Sequence, residues 1–231
     1  IKTTFFSDNA PPSISWEMLA VSEDVKEDEE ANKILEKYLP PPEEGADEVL
    51  YYFPETVTSL TNDCRTRQTP NNLGLYVSGA LRHLFKSQIG LINGGFVRGN
   101  KVYPAHYPFS LADLRHEFPF DMLKPICVKL SGKKIREAIE LTIRMAPDSF
   151  SALIHPSGLK MEYDTHRAPL DRLTSLKLET EDGLVDIKDD EHYTVAMTGF
   201  MAQGGDNIIP YSEGEIVQET EKKISETIRE Y

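Results

Sequence analysis

The chain has 231 residues, 39% hydrophobic and 27% charged, enough to bury one substantial core and carry an appendage. With 38 Asp and Glu against 25 Lys and Arg, the formal charge is -13, a field that repels polyanions and excludes nucleic acid as a bulk partner. No apolar run approaches the ~20 residues of a membrane helix, and residues 1–10 lack the layout of a signal peptide.

Ile14 to Val21 reads as a strand. Ser22 to Glu48 is crowded with acidic residues and closes on Pro40-Pro41-Pro42, a solvated linker in which Ile34, Leu35 and Tyr38 mark a short helix over Ala31 to Leu39. From Val49 the composition turns globular. Asn71 to Phe85 is an amphipathic helix with Leu73, Tyr76, Val77, Ala80, Leu81 and Leu84 on one stripe and Asn71 or Asn72 as N-cap. The apolar strand Ile89 to Ile92 runs into Asn93-Gly94-Gly95. Ser110 and Asp113 form a capping box, Ile126 to Leu130 is strand-like, and Ser131 to Met145 is the clearest helix, stopped ahead of Pro147. Leu159 to Tyr163, Leu173 to Leu178 and Tyr193 to Thr198 alternate as strands, and Glu219 to Tyr231 reads as a terminal helix.

Cys64 and Cys127 are too few for a disulfide framework and too far apart for a CxxC motif, so both read as free thiols. With the absence of any Asn-x-Ser/Thr acceptor, they slightly favour a cytoplasmic protein. The chain opens at Ile1, and residues upstream of it are expected.

Four segments carry polar or aromatic groups that a core does not need: Cys64-Arg65-Thr66-Arg67, Asn93-Gly94-Gly95-Phe96-Val97-Arg98, Phe118-Pro119-Phe120 and Gly199-Phe200-Met201-Ala202-Gln203-Gly204-Gly205-Asp206. Each alone has a plain structural explanation, such as a turn needing positive φ at Asn-Gly-Gly or a surface ion pair at Arg65 or Asp206. In this order, with Leu130-Ser131-Gly132, Ser157-Gly158-Leu159 and Tyr163-Asp164 between them, they resemble the C-terminal domain of the 5'-nucleotidase family, which includes UDP-sugar hydrolases and 2',3'-cyclic-nucleotide phosphodiesterases.

The resemblance covers about Thr56 to Tyr211 and implies an α+β fold of layered α/β/β/α type. It implies residues 1–21 as the tail of an N-terminal metallophosphatase domain, 22–48 as the linker and 49–231 as a nucleoside-binding domain. Phe120 and Phe200 would clamp the base, Asn93 would meet its edge, and Arg65, Arg98 and Asp206 would surround the ribose hydroxyls, the arginines also reaching a phosphate. Gly94, Gly95, Gly204 and Gly205 would let backbone approach the ligand. Stacking, a carboxylate accepting from a diol and a guanidinium fork on oxygen atoms suit these positions chemically. This sequence departs from the family where Gln68 replaces Glu, Leu75 replaces Asn, Gly79 replaces Asp and Phe96 replaces Gly, and Pro70-Asn71 is an insertion.

Hydrolysis in the family depends on two divalent metal ions about 4 Å apart, whose ligands belong to the N-terminal domain. No cofactor is therefore expected in this chain. Asp164-Thr165-His166 matches Asp-x-His but falls on the Tyr-Asp turn, and no Gly-Asn-His follows it. The expected partners are a nucleoside or nucleoside 5'-phosphate and the chain's own N-terminal catalytic domain. The rival reading is a catalytically degenerate module that binds nucleotide or protein without turnover.

Overall fold

The computed structural model describes residues 2–5, 11–19, 22, 24–38, 45–60, 67–120 and 122–231. The chain falls into two units, residues 1–44 and 45–231. In the first, β1 (Lys2–Thr4) pairs antiparallel with β2 (Ser13–Ser15), and α1 spans Glu29–Tyr38. The strand expected over Ile14 to Val21 is shorter: residues 16–19 are irregular, and Ala20 and Val21 lie outside the described residues. Asp28 starts α1, its Oδ1 accepting from the amides of Glu30 and Ala31 at 2.9 and 2.8 Å.

The second unit opens with the short strands β3 (Val49–Tyr52) and β4 (Val57–Thr58), followed by α2 (Asn72–Phe85) and β5 (Ile89–Asn93). Asn71 is the N-cap of α2, accepting from Gly74 N at 2.8 Å, and Lys86 ends the helix in the left-handed region at φ 49°. Strands β6 (Val102–Tyr103) and β7 (Pro108–Ser110) pair with β4 and β3, and α3 (Leu111–Glu117) begins at the Ser110–Asp113 capping box. Then come β8 (Pro125–Ser131), α4 (Gly132–Ile143), β9 (Ile154–Ser157) and the antiparallel sheet of β10 (Leu159–Tyr163), β11 (Leu173–Thr180) and β12 (Gly183–Asp186). The chain closes with β13 (His192–Thr198), the single turn α5 (Gly199–Ala202), β14 (Glu215–Glu219) and α6 (Ile224–Arg229).

The central sheet runs β14-β8-β13-β5-β9. Its strands alternate between two cores, as a period of two requires. Ile89, Leu91, Ile126, Val128, Leu130, Val195 and Met197 face one core with Ile135, Ala138 and Ile139 of α4 and with Leu159, Leu176 and Leu178 of the smaller sheet. Ile92, Cys127 and Ala196 face the other, with Leu73, Val77, Ala80 and Leu81 of α2 and Ile224 and Ile228 of α6. The result is mixed helices and sheets in layers, the fold class that the resemblance implied. Arg172 stops α4, its buried guanidinium donating to the carbonyls of Ile143 and Arg144 at 2.9 and 2.8 Å.

The terminal helix expected over Glu219 to Tyr231 is shorter in the structure, where α6 spans Ile224–Arg229 and Glu219 instead ends β14. Ile216 and Val217 are β-branched and continue the sheet beside β8, while α6 starts only at Ile224, where Lys223 N donates to Glu226 Oε2 at 3.0 Å. Beyond α6 the Tyr231 ring packs on Tyr76 and His83, with centroids 5.6 and 5.4 Å away. A Cβ at Gly79 would stand 3.1 Å from its hydroxyl.

Candidate functional site

Sheet order brings the motifs together. β5 and β13 are parallel neighbours, so Asn93-Gly94-Gly95 and Gly199-Phe200 leave the sheet side by side at carboxyl ends, where α/β sheets hold their ligands. β8 runs antiparallel to β13 with Pro125 opposite Thr198, which puts Phe118-Pro119-Phe120 at the same end. β9 runs antiparallel to β5 with Ile154 opposite Asn93, which adds residues 148–153.

A cleft of about 380 Å³ opens there, lined by Asn93, Gly95, Phe96, Arg98, Phe120, Leu123, Ser151, Phe200 and Asp206. Six of the nine are sequence-expected site residues. Gly94 and Gly205 lie beside it, and Arg65, with Cys64, lies outside the described residues.

The two phenylalanines are held differently. Phe120 is half-buried, with the Phe96 ring 5.6 Å from its own and the Arg98 guanidinium carbon 5.2 Å from its centroid. Phe200 is 38% exposed. It rests on Gly205, where a Cβ would overlap the ring edge at Cδ1, Cε1 and Cζ. A side chain at position 205 therefore requires the Phe200 ring to shift.

The polar wall is a chain of hydrogen bonds. Asn93 is buried, and its Nδ2 donates to Asp206 Oδ2 at 3.2 Å and to the Ser151 carbonyl at 3.3 Å. Ser151 Oγ donates to Asp206 Oδ1 at 3.0 Å. Gly94 and Gly95 spend their amides internally, on the carbonyls of Leu153 and Ser151 at 2.6 and 2.7 Å. Gly204, Asp206 and Asn207 all sit at positive φ, 80°, 56° and 62°, a conformation Asp and Asn tolerate better than most residues and one that marks functional turns.

Arg98 is exposed and anchored, its Nε donating to the Gly95 carbonyl at 2.6 Å. The loop behind it is fixed from below by Glu117. The Glu117 side chain is fully buried and accepts from Ser59 Oγ at 2.7 Å, Tyr103 Oη at 2.6 Å and Gly99 N at 2.9 Å, while its backbone carbonyl accepts from Arg98 N at 2.8 Å. Burial and then the Glu117 hydrogen bond push the Tyr103 hydroxyl far above its ordinary range, so it stays a donor.

Phe96, Leu123 and Ser151 complete the lining without having been expected there. Phe96 was visible as a departure inside a motif, whereas nothing around Ser151 carries a pattern. The Asp164–His166 pair forms an exposed turn after β10, Nδ1 to Oδ1 at 3.0 Å, and among the described residues no three His, Cys, Asp or Glu converge on a point. Cys127 is a buried thiol whose pKa burial pushes up. No helix among the described residues is long and apolar enough to cross a membrane.

A trifunctional nucleotide phosphoesterase, YfkN of Bacillus subtilis (strain 168), is 24% identical over 201 residues, covering 85% of this chain and 13% of that protein. The crystal structure of a 5'-nucleotidase precursor from Thermus thermophilus superposes with a TM-score of 0.76 at 24% identity over 87% of this chain and 39% of that one. The NAD nucleotidase of Haemophilus influenzae superposes with a TM-score of 0.67 at 16% identity over 88% of this chain and 38% of its own. The chain thus spans well under half the length of each of these relatives. The sequence model of the family described as "5'-nucleotidase, C-terminal domain" matches residues 52–213, and the chain belongs to that family.

Proposed function

We propose that this chain captures a nucleoside or nucleoside 5'-phosphate and holds it for a dimetal phosphoesterase site on a separate N-terminal domain of a longer protein. The observation that carries the reading is one cleft that brings the Phe120 and Phe200 rings together with Asn93, Asp206 and Arg98. Stacking on aromatic rings contributes ~1–3 kcal/mol per base and tolerates any base. Asn93 would meet the base edge, Asp206 and Arg98 the ribose hydroxyls, and Arg98, with Arg65, a 5'-phosphate.

The domain assignment follows the same reading: residues 1–21 end the catalytic domain, 22–48 link, and 49–231 bind. It is supported by the share of the relatives' length that the chain spans. It is also supported by the first unit, where Phe5, Ile14, Trp16, Met18 and Leu19 are between 66% and 85% exposed, as apolar residues that pack against a further domain would be by themselves. In this reading the two divalent ions would be held by residues of the N-terminal domain.

Calorimetric titration of the 231-residue chain with adenosine and AMP, carried to millimolar ligand, is expected to show binding. The same protein is expected to release no phosphate from AMP or UDP-sugars with Zn²⁺ or Mn²⁺ added. Metal-dependent turnover would overturn the domain assignment, and no binding of either ligand would overturn the nucleoside site.

Gly205→Ala tests the aromatic floor of the cleft. The new Cβ must displace the Phe200 ring, which is exposed enough to yield, so adenosine affinity should fall roughly tenfold while the melting temperature moves by no more than about two degrees. A variant that binds adenosine like the parent would show that Phe200 does not act from that position.

A further inference from the structure

Ser151 lies between α4 and β9, in the stretch Asp148-Ser149-Phe150-Ser151 that carries no motif. It nevertheless joins three of the cleft's parts. Its Oγ donates to Asp206 Oδ1 at 3.0 Å, and its carbonyl accepts from Asn93 Nδ2 at 3.3 Å and Gly95 N at 2.7 Å. The preceding residue ties in the Arg67 segment, Phe150 N donating to the Arg67 carbonyl at 2.9 Å.

A carboxylate offers about four acceptor directions over its two oxygens. Asp206 has one direction on Oδ1 taken by Ser151 and one on Oδ2 taken by Asn93. Among the described residues no further donor to either oxygen is recorded, so each keeps an acceptor direction, enough for two adjacent hydroxyl donors. The two contacts, one on each oxygen, fix the orientation of the Asp206 carboxylate plane.

We propose that Ser151 is a positioning residue that locks Asp206 so that each carboxylate oxygen presents one free acceptor to the vicinal diol of a ribonucleoside. The proposal rests on the nucleoside reading above. It predicts an effect confined to ligands that carry the diol, which a merely structural serine would not produce.

The experiment titrates the 231-residue chain and its Ser151→Ala, Ser151→Cys and Asp206→Asn variants with adenosine and with 2',3'-dideoxyadenosine, and records thermal melts of each. Ser151→Ala should lose about tenfold in adenosine affinity and less than about twofold for the dideoxy ligand, with Asp206→Asn showing the same selectivity. Ser151→Cys keeps the volume but supplies only a weak donor; it should behave like the alanine variant, and it carries the test if the alanine variant does not fold. Equal losses for both ligands, or none for either, in the serine variants would overturn the proposal. If Asp206→Asn discriminates the ligands and the serine variants do not, Ser151 fails and the nucleoside site stands. If the parent binds neither ligand at millimolar concentration, both fail.

Discussion

Replacing Phe200 with alanine is expected to weaken adenosine binding by tenfold or more, and replacing Phe120 is expected to do the same, because stacking contributes ~1–3 kcal/mol for each base face covered. Their costs to folding should differ. Phe200 is 38% exposed and rests on a glycine, so its loss should leave the melting temperature within about two degrees of the parent. Phe120 is half-buried against Phe96, so its truncation also removes packing and should lower stability by roughly 1–2 kcal/mol. Calorimetric titration beside thermal melts separates the two quantities. Two core residues would behave in the opposite way, each costing ~3–5 kcal/mol of folding free energy with no separate effect on ligand. That outcome for Phe200 would remove the aromatic clamp from the reading.

The helices are legible in the sequence because their signals are local. Asn71 and Ser110 cap where a short polar side chain precedes an apolar stripe, and Ile135, Ala138, Ile139 and Thr142 keep helical spacing and are all buried. At the C-terminus the sequence reading starts the helix too early, at Glu219, a residue that suits a helix as well as an edge strand, and only its pairing with Ile126 of β8 decides. The site is legible as motifs but not as a place. Its convergence depends on β13 lying between β8 and β5 and on β9 returning beside β5, an order no single segment encodes. Ser151 escapes detection for that reason. Phe96 is different, since its replacement of a glycine is visible, but that it packs against both Phe118 and Phe120 is a tertiary fact.

Glu117→Ala should be the most damaging single change to the second unit, at about 4 kcal/mol, a melting temperature on the order of ten degrees lower. Three donors point at this carboxyl group: the Ser59 and Tyr103 hydroxyls and the Gly99 amide. Removing it strands the buried Tyr103 hydroxyl and Gly99 amide, while Ser59 Oγ keeps the Lys101 carbonyl at 3.3 Å, and a buried unsatisfied donor costs ~1–3 kcal/mol before the cavity is counted. Gly99 has no side chain to fill the space, since its Cα approaches the Glu117 carboxyl so closely that a Cβ there would overlap it. Glu117→Gln should cost less, about 1–2 kcal/mol, because the amide oxygen still accepts while the NH₂ faces a donor. The same ranking should appear in ligand binding at temperatures where both variants remain folded. The loop that carries Arg98 is fastened through Gly99 N and Arg98 N to this one residue, so slackening it releases the guanidinium from its place beside Phe120. Melts and AMP titrations of the two variants test this. A glutamine variant as damaging as the alanine variant would mean that all three donors need a full carboxylate. An alanine variant that melts within a degree of the parent would show that Glu117 holds neither the core nor the Arg98 loop.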